Sequence, residues 1–121
     1  MYMLFYSGNT ELWKNTNLDI NIGKSSVKKV ENYKYLGVTI DSNFNWSDHI
    51  EVVKIKLLKT VGILYTTRFF LNQNSLYYIF NLHLMSHVRY GLLCWGRASK
   101  TKITLIDKLI NRALKLIHFK V

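Results

Sequence analysis

Apolar residues change their spacing near Trp46, and that change sets the limits on what this chain can fold into. Beyond Trp46, Ile50, Val53, Leu57, Val61 and Leu64 recur at steps of three and four, the period of one face of an α-helix. Ser47 or Asp48 can cap such a helix. Lys56 and Lys59 fall off the stripe, and Lys54 sits at its edge, where its aliphatic stem can be covered. Before Trp46 the pattern is strand-like. Asp19-Ile20-Asn21-Ile22 alternates, Gly23-Lys24-Ser25-Ser26 turns, and Val27 to Val30 can return as the second arm of a hairpin. Tyr33 to Ile40, rich in aromatic and β-branched residues, is the strongest strand candidate, and Asp41-Ser42-Asn43 stops it. Met1 to Tyr6 is a further apolar run ending at the turn cluster Ser7-Gly8-Asn9. Three or four short strands do not enclose a core alone, so this part is expected to lean on something else.

Two more helices follow the first. Asn72-Gln73-Asn74 breaks the pattern, and Ser75 can cap a second helix through Leu76, Ile79, Phe80, His83, Met85 and Val88. Tyr77, Tyr78, Leu82 and Leu84 make that helix apolar nearly all round, which predicts the central and most buried position. Gly91 and Gly96 bracket Leu92-Leu93-Cys94-Trp95, expected as an irregular or short helical joint. Thr101 or Thr104 can cap the last helix. There Ile103, Ile106, Ile110, Ala113, Leu114 and Ile117 lie within about 60° of one line at 100° per residue. Lys108, Arg112 and Lys115 fall about 140–200° from that line, a basic ridge opposite the apolar face.

Charge divides at the same place. Up to Glu51 there are five basic and six acidic residues; from Val52 onward there are twelve basic residues and a single acid, Asp107. The net +10 of the 121-residue chain therefore belongs wholly to its C-terminal part. A surplus of that size points to a polyanion, most often nucleic acid. A solvated face explains the ridge of one helix without any ligand; placed in the strongly basic half of the chain, the same ridge is a credible phosphate contact surface. Cys94 is the only cysteine, which excludes a disulfide-stapled scaffold. The first residues lack the basic start and apolar length of a signal peptide. Arg68, Asn72, Asn74, Asn81, His83 and Arg89 interrupt every apolar stretch that could otherwise span a bilayer. The chain reads as intracellular, cytoplasmic or nuclear, with no membrane partner and no small-molecule substrate expected.

Catalytic chemistry is poorly provided for. Two-metal phosphoryl transfer needs carboxylates converging on ions about 4 Å apart. The acids Glu11, Asp19, Glu31, Asp41, Asp48, Glu51 and Asp107 include no adjacent pair and no Asp-x-Asp. His83 and His87 stand at i, i+4, a spacing that can bind zinc, but no third ligand is evident. They read as core or interface histidines. Cys94 and His87 could pair as a nucleophile and base, yet Cys94 lies in an apolar run and is expected to be buried. No metal or cofactor site is expected.

Tyr33-Lys34-Tyr35-Leu36-Gly37-Val38-Thr39-Ile40-Asp41, followed by Trp46 and His49-Ile50, resembles the segment after the catalytic palm motifs in reverse transcriptases of non-LTR retrotransposons, especially jockey-like elements of the LINE type. Ile63-Leu64-Tyr65, then Ser86-His87-Val88-Arg89-Tyr90-Gly91 with Trp95-Gly96, then Asn111-Arg112-Ala113-Leu114-Lys115 follow in the family order. Ile110 stands where the family often has Gln. The change from alternation to helical period predicts an α+β fold, a small antiparallel β portion followed by a three-helix bundle; the resemblance makes these a palm-edge portion over 1–45 and a basic thumb-like bundle over 46–121. It implies that Tyr35, Leu36 and Gly37 form a primer-grip-like turn. Lys56, Lys59, Lys108, Arg112 and Lys115 would then contact a template–primer duplex. A Gly beside aromatics allows close backbone approach to a primer end, and basic helices can follow a duplex backbone without reading bases. The palm aspartates of the RNA-directed DNA polymerase would precede Met1, and magnesium would belong only to the intact parent enzyme. The expectation is a non-catalytic fragment; a stand-alone nucleic-acid-binding module is the alternative. The last helix taken alone would also suit a membrane surface.

Overall fold

The computed structural model describes residues 1–6 and 11–118, with Trp13 as backbone only. The turn cluster Ser7-Gly8-Asn9 lies outside the described residues. The architecture is α+β, and the chain divides into two compact units, Met1–Asp48 and His49–Val121.

The first unit holds a single helical turn, α1 (Glu11–Lys14), and two separate two-stranded antiparallel sheets. β1 (Ile20–Ile22) pairs with β2 (Ser25–Val27), Ile20 opposite Val27. Ser25 and Ser26 belong to the returning strand rather than to the turn, which narrows to Gly23-Lys24. β3 (Asn32–Tyr35) pairs with β4 (Val38–Asp41), Tyr35 opposite Val38. The single strand expected over Tyr33–Ile40 is thus a tight hairpin. Leu36 and Gly37 at its tip have φ of 48° and 81°, the left-handed pair that a two-residue turn needs to match strand twist. Glycine adopts this freely, whereas leucine does so at about 1–2 kcal/mol. Met1 to Tyr6 forms no strand beyond one parallel bridge, Tyr2 to Lys29. The Tyr2 hydroxyl donates to Leu18 O at 3.0 Å and accepts from Leu18 N at 2.8 Å. Among the described residues of this unit only Ser42 is buried, so these strands enclose no apolar core of their own.

The second unit contains the core. α2 (Ser47–Thr67) buries Ile50, Val53, Leu57, Val61 and Leu64 as their spacing requires, together with His49 and Thr60. A helical rod follows, made of α3 (Gln73–Ile79), a π-helical stretch (Phe80–Met85) and α4 (Ser86–Arg89). Its cap is Asn72, not Ser75: the Asn72 side chain accepts from Ser75 N at 2.8 Å. Leu76, Phe80, Leu84 and Val88 are all buried and stand four residues apart. In an α-helix four residues overshoot a full turn by about 40°, so such a stripe drifts off its face. The wider π turn covers fewer degrees per residue and takes the drift back.

The rod is not the most buried helix. Tyr77, Tyr78 and Leu82 are exposed, because a bundle of three helices leaves each an outer side and cannot enclose one that is apolar all round. Gly91, at φ 67°, turns the chain into α5 (Leu92–Trp95). There Trp95 is buried and its indole Nε1 donates to Tyr90 O at 3.0 Å. Cys94, one position round the same short turn, is exposed rather than buried, since the indole takes the interior place. α6 (Lys100–His118) begins ahead of both Thr101 and Thr104; the Ser99 carbonyl accepts its first bonds, from Lys102 N and Ile103 N. α6 packs on α3 and the π stretch. Leu57, Leu64, Leu76, Leu84 and Ile117 are wholly buried, each stabilising the unit by about 1.5–3 kcal/mol. Trp95→Ala, at about 3–5 kcal/mol, is the single change expected to break it. Among the described residues no helix is long and apolar enough to cross a membrane.

Candidate nucleic-acid interface

All five expected phosphate-contacting residues, Lys56, Lys59, Lys108, Arg112 and Lys115, are exposed in the second unit. They do not form one ridge. On α6 the stripe Ile103, Ile106, Ile110, Ala113, Leu114 and Ile117 is buried or half-buried, so Lys108 and Lys115 project from the outer side. Arg112 turns toward α2, where it lines an apolar groove with Leu58, Val61, Gly62, Tyr65 and Leu116. Lys56 stands about 160° round α2 from Leu58, away from that groove. Its charge, after the larger effect of burial, lowers the pKa of His49 on α2 and of His87 on α4. Lys59 lies between these two sides. The cations of α2 and α6 therefore flank the unit rather than converge on a point.

The start of α6 adds a basic cluster that residue spacing did not single out. Arg97 and Lys100 are exposed and Lys102 half-buried, and the first turn of the helix contains no acid. The N-terminus of a helix carries partial positive charge, so cations there oppose the macrodipole by about 0.3–1 kcal/mol each. An anion at that point would be held by backbone N–H groups and side-chain charge together. The signal was present in the sequence as Arg-Ala-Ser-Lys-Thr-Lys, but placing the cap at Thr101 or Thr104 left Lys100 outside the helix.

In the first unit, Tyr35, Leu36 and Gly37 sit at the β3–β4 tip. All three are exposed, Leu36 at 73%. Tyr35 also lines an apolar hollow of about 370 Å³ with Tyr2, Phe5, Val30, Tyr33 and Ile40. The loop after β4 is built on one carboxylate. Asp41 accepts from Asn43 N at 3.1 Å, Asn45 N at 2.9 Å and Trp46 N at 3.1 Å, and this holds Phe44 and Trp46 at φ of 54° and 65°.

His83 is exposed and His87 half-buried, so neither is a core residue. Among the described residues no three His, Cys, Asp or Glu side chains gather as a metal site. Comparison of the chain with protein-family models, curated proteins and solved structures finds no match.

Proposed function

We propose that the His49–Val121 unit binds duplex nucleic acid without reading its sequence, as the thumb of a non-LTR retrotransposon reverse transcriptase holds its RNA template–DNA primer duplex. The observation that carries this reading is the charge at the start of α6. Arg97 and Lys100 stand at the start of a helix, where the macrodipole disfavours cations, and the first turn of that helix contains no acid. Their placement works against helix stability and in favour of a phosphate. The exposed Lys108 and Lys115 continue the same charge along α6, in a unit whose acids are Glu51 and Asp107. In this reading the Leu36-Gly37 tip belongs to a primer-grip-like turn, and the 121 residues hold a duplex without supplying the carboxylates of polymerisation.

Titration with a blunt duplex over a range of salt tests the proposal. Each phosphate contact to B-form DNA contributes about 0.9 to the slope of log affinity against log salt. Changing Lys108, Arg112 and Lys115 to Ala should flatten that slope by about 2–3. Binding indifferent to salt and to these substitutions overturns the reading.

A further inference from the structure

Arg68 continues the buried stripe of α2 past the end of the helix. Leu57, Val61, Leu64 and Arg68 follow at steps of four, three and four, and Arg68 N still donates to Leu64 O at 3.0 Å. A cation stands where the pattern leads to a core residue. Its guanidinium carbon lies 4.5 Å from the centre of the Tyr65 ring and 4.6 Å from that of Phe69, inside cation–π range of both rings. Its Nε is buried and has no hydrogen-bond partner among the described residues. Aromatic rings, rather than a carboxylate, hold the guanidinium plane.

Much of the aromatic surface assembled here faces solvent. Tyr65 is 54% exposed, Phe69 61% and Phe70 87%. Phe69, beside the cation, and the next residue, Phe70, expose rings that add little to stability. They do match what an unpaired base needs: ring faces to stack on and a planar cation that tolerates every base. Thr66 and Thr67 lie between Tyr65 and Arg68, and Asn72-Gln73-Asn74 follow one half-buried residue, Leu71, after Phe70; these polar groups suit base edges better than a lipid bed. A second copy of the chain would bring another +10 against this surface.

We propose that Tyr65, Arg68, Phe69 and Phe70 form a stacking platform for unpaired bases, so that the unit prefers a duplex carrying a single-stranded extension over a blunt one. This rests on the duplex-binding reading and adds a ligand to it.

The test compares the full chain on a blunt DNA duplex and on the same duplex with a short thymidine extension, alongside flotation with anionic vesicles. The extension should tighten binding by about 5- to 150-fold, the range of one stacked base. Phe70→Ala should remove that gain and leave blunt-duplex affinity and thermal midpoint unchanged, since the ring is exposed. Phe70→Leu keeps an apolar side chain without a π face and should lose the gain as well; Phe70→Trp should retain it. Salt-dependent binding of the blunt duplex with no extension gain overturns the platform while sparing the duplex reading. A gain that survives in Phe70→Leu, or vesicle binding that Phe70→Ala abolishes while the extension gain stays, also overturns the platform. Failure to bind either duplex overturns both.

Discussion

The His49 imidazole and the Trp95 indole lie 5.8 Å apart, centre to centre, tilted by 55°, with 3% and 1% of their surfaces exposed. Burial first, then the charge of Lys56, holds the His49 pKa below its ordinary 6.5. The folded state therefore favours neutral imidazole, while the unfolded chain takes up its proton near 6.5. Stability from this residue is complete above pH 6.5 and falls as pH drops through the window between 6.5 and the lower folded-state value. His87 shifts the same way, for burial, Lys56 and His83 in that order. Urea midpoints at about pH 7.5 and about pH 5.5 should differ more in the wild type than in His49→Gln. Equal differences would count against this account.

The hairpin tip predicts a trade between stability and grip. Leu36 holds a φ of 48°, which asparagine adopts with less strain, and Asn-Gly is the favoured pair for such a turn. Leu36→Asn should stabilise the β3–β4 hairpin by up to about 1 kcal/mol. Gly37→Ala, at φ 81°, should destabilise it by at least as much. If the exposed leucine serves the primer-grip-like turn, Leu36→Asn should weaken duplex binding while protecting the hairpin amides. Both changes are read from one sample by hydrogen exchange and titration.

Arg112 should behave unlike its neighbours on α6. Its stem lines the groove with Leu58, Tyr65 and Leu116, so Arg112→Ala loses packing as well as charge. Lys108→Ala and Lys115→Ala should each shift stability by no more than about 0.5 kcal/mol. A larger loss is expected for Arg112→Ala, and denaturant midpoints of the three single variants would show it.

The Asn72 cap gives a clean pair of variants. Asn72→Ala removes the acceptor of the Ser75 amide and should destabilise the second unit by about 1 kcal/mol, within a range of about 0.5–2. Ser75→Ala leaves that bond in place and should be nearly neutral. The reverse order would make Ser75 the cap.

How much of this was legible depended on whether one period could run its course. The stripes from Ile50 to Leu64 and from Ile103 to Ile117 were readable because each continues for several turns of one regular helix. Periodicity hid the hairpin over Asn32–Asp41, since Leu36 is a poor turn residue; a turn at Tyr35-Leu36-Gly37 was implied only by the resemblance. Cys94 was misplaced because a four-residue turn is too short to show which side faces inward. Of the interface, the cations were legible as charge but not as positions. That Arg112 lines a groove with α2 is fixed by helix pairing, which no single helix encodes. Arg68 was visible only as an interruption in an apolar stretch, and its two aromatic neighbours give it a different meaning.

The π stretch from Phe80 to Met85 bears on which length variants of this chain could survive. Loss of one residue there, such as the exposed Leu82, would turn the spacing of Leu76, Phe80, Leu84 and Val88 from four-four-four into four-three-four. That is the phase of a plain α-helix, so all four side chains would keep their side of the rod. The same loss in the middle of α2 or α6 would rotate everything downstream by about 100° and carry charges inward. A Leu82 deletion should therefore melt cooperatively close to the parent, whereas deletion of Leu109 should not fold. In a lineage that gains and sheds single codons, the rod is the stretch of this bundle where length is expected to vary.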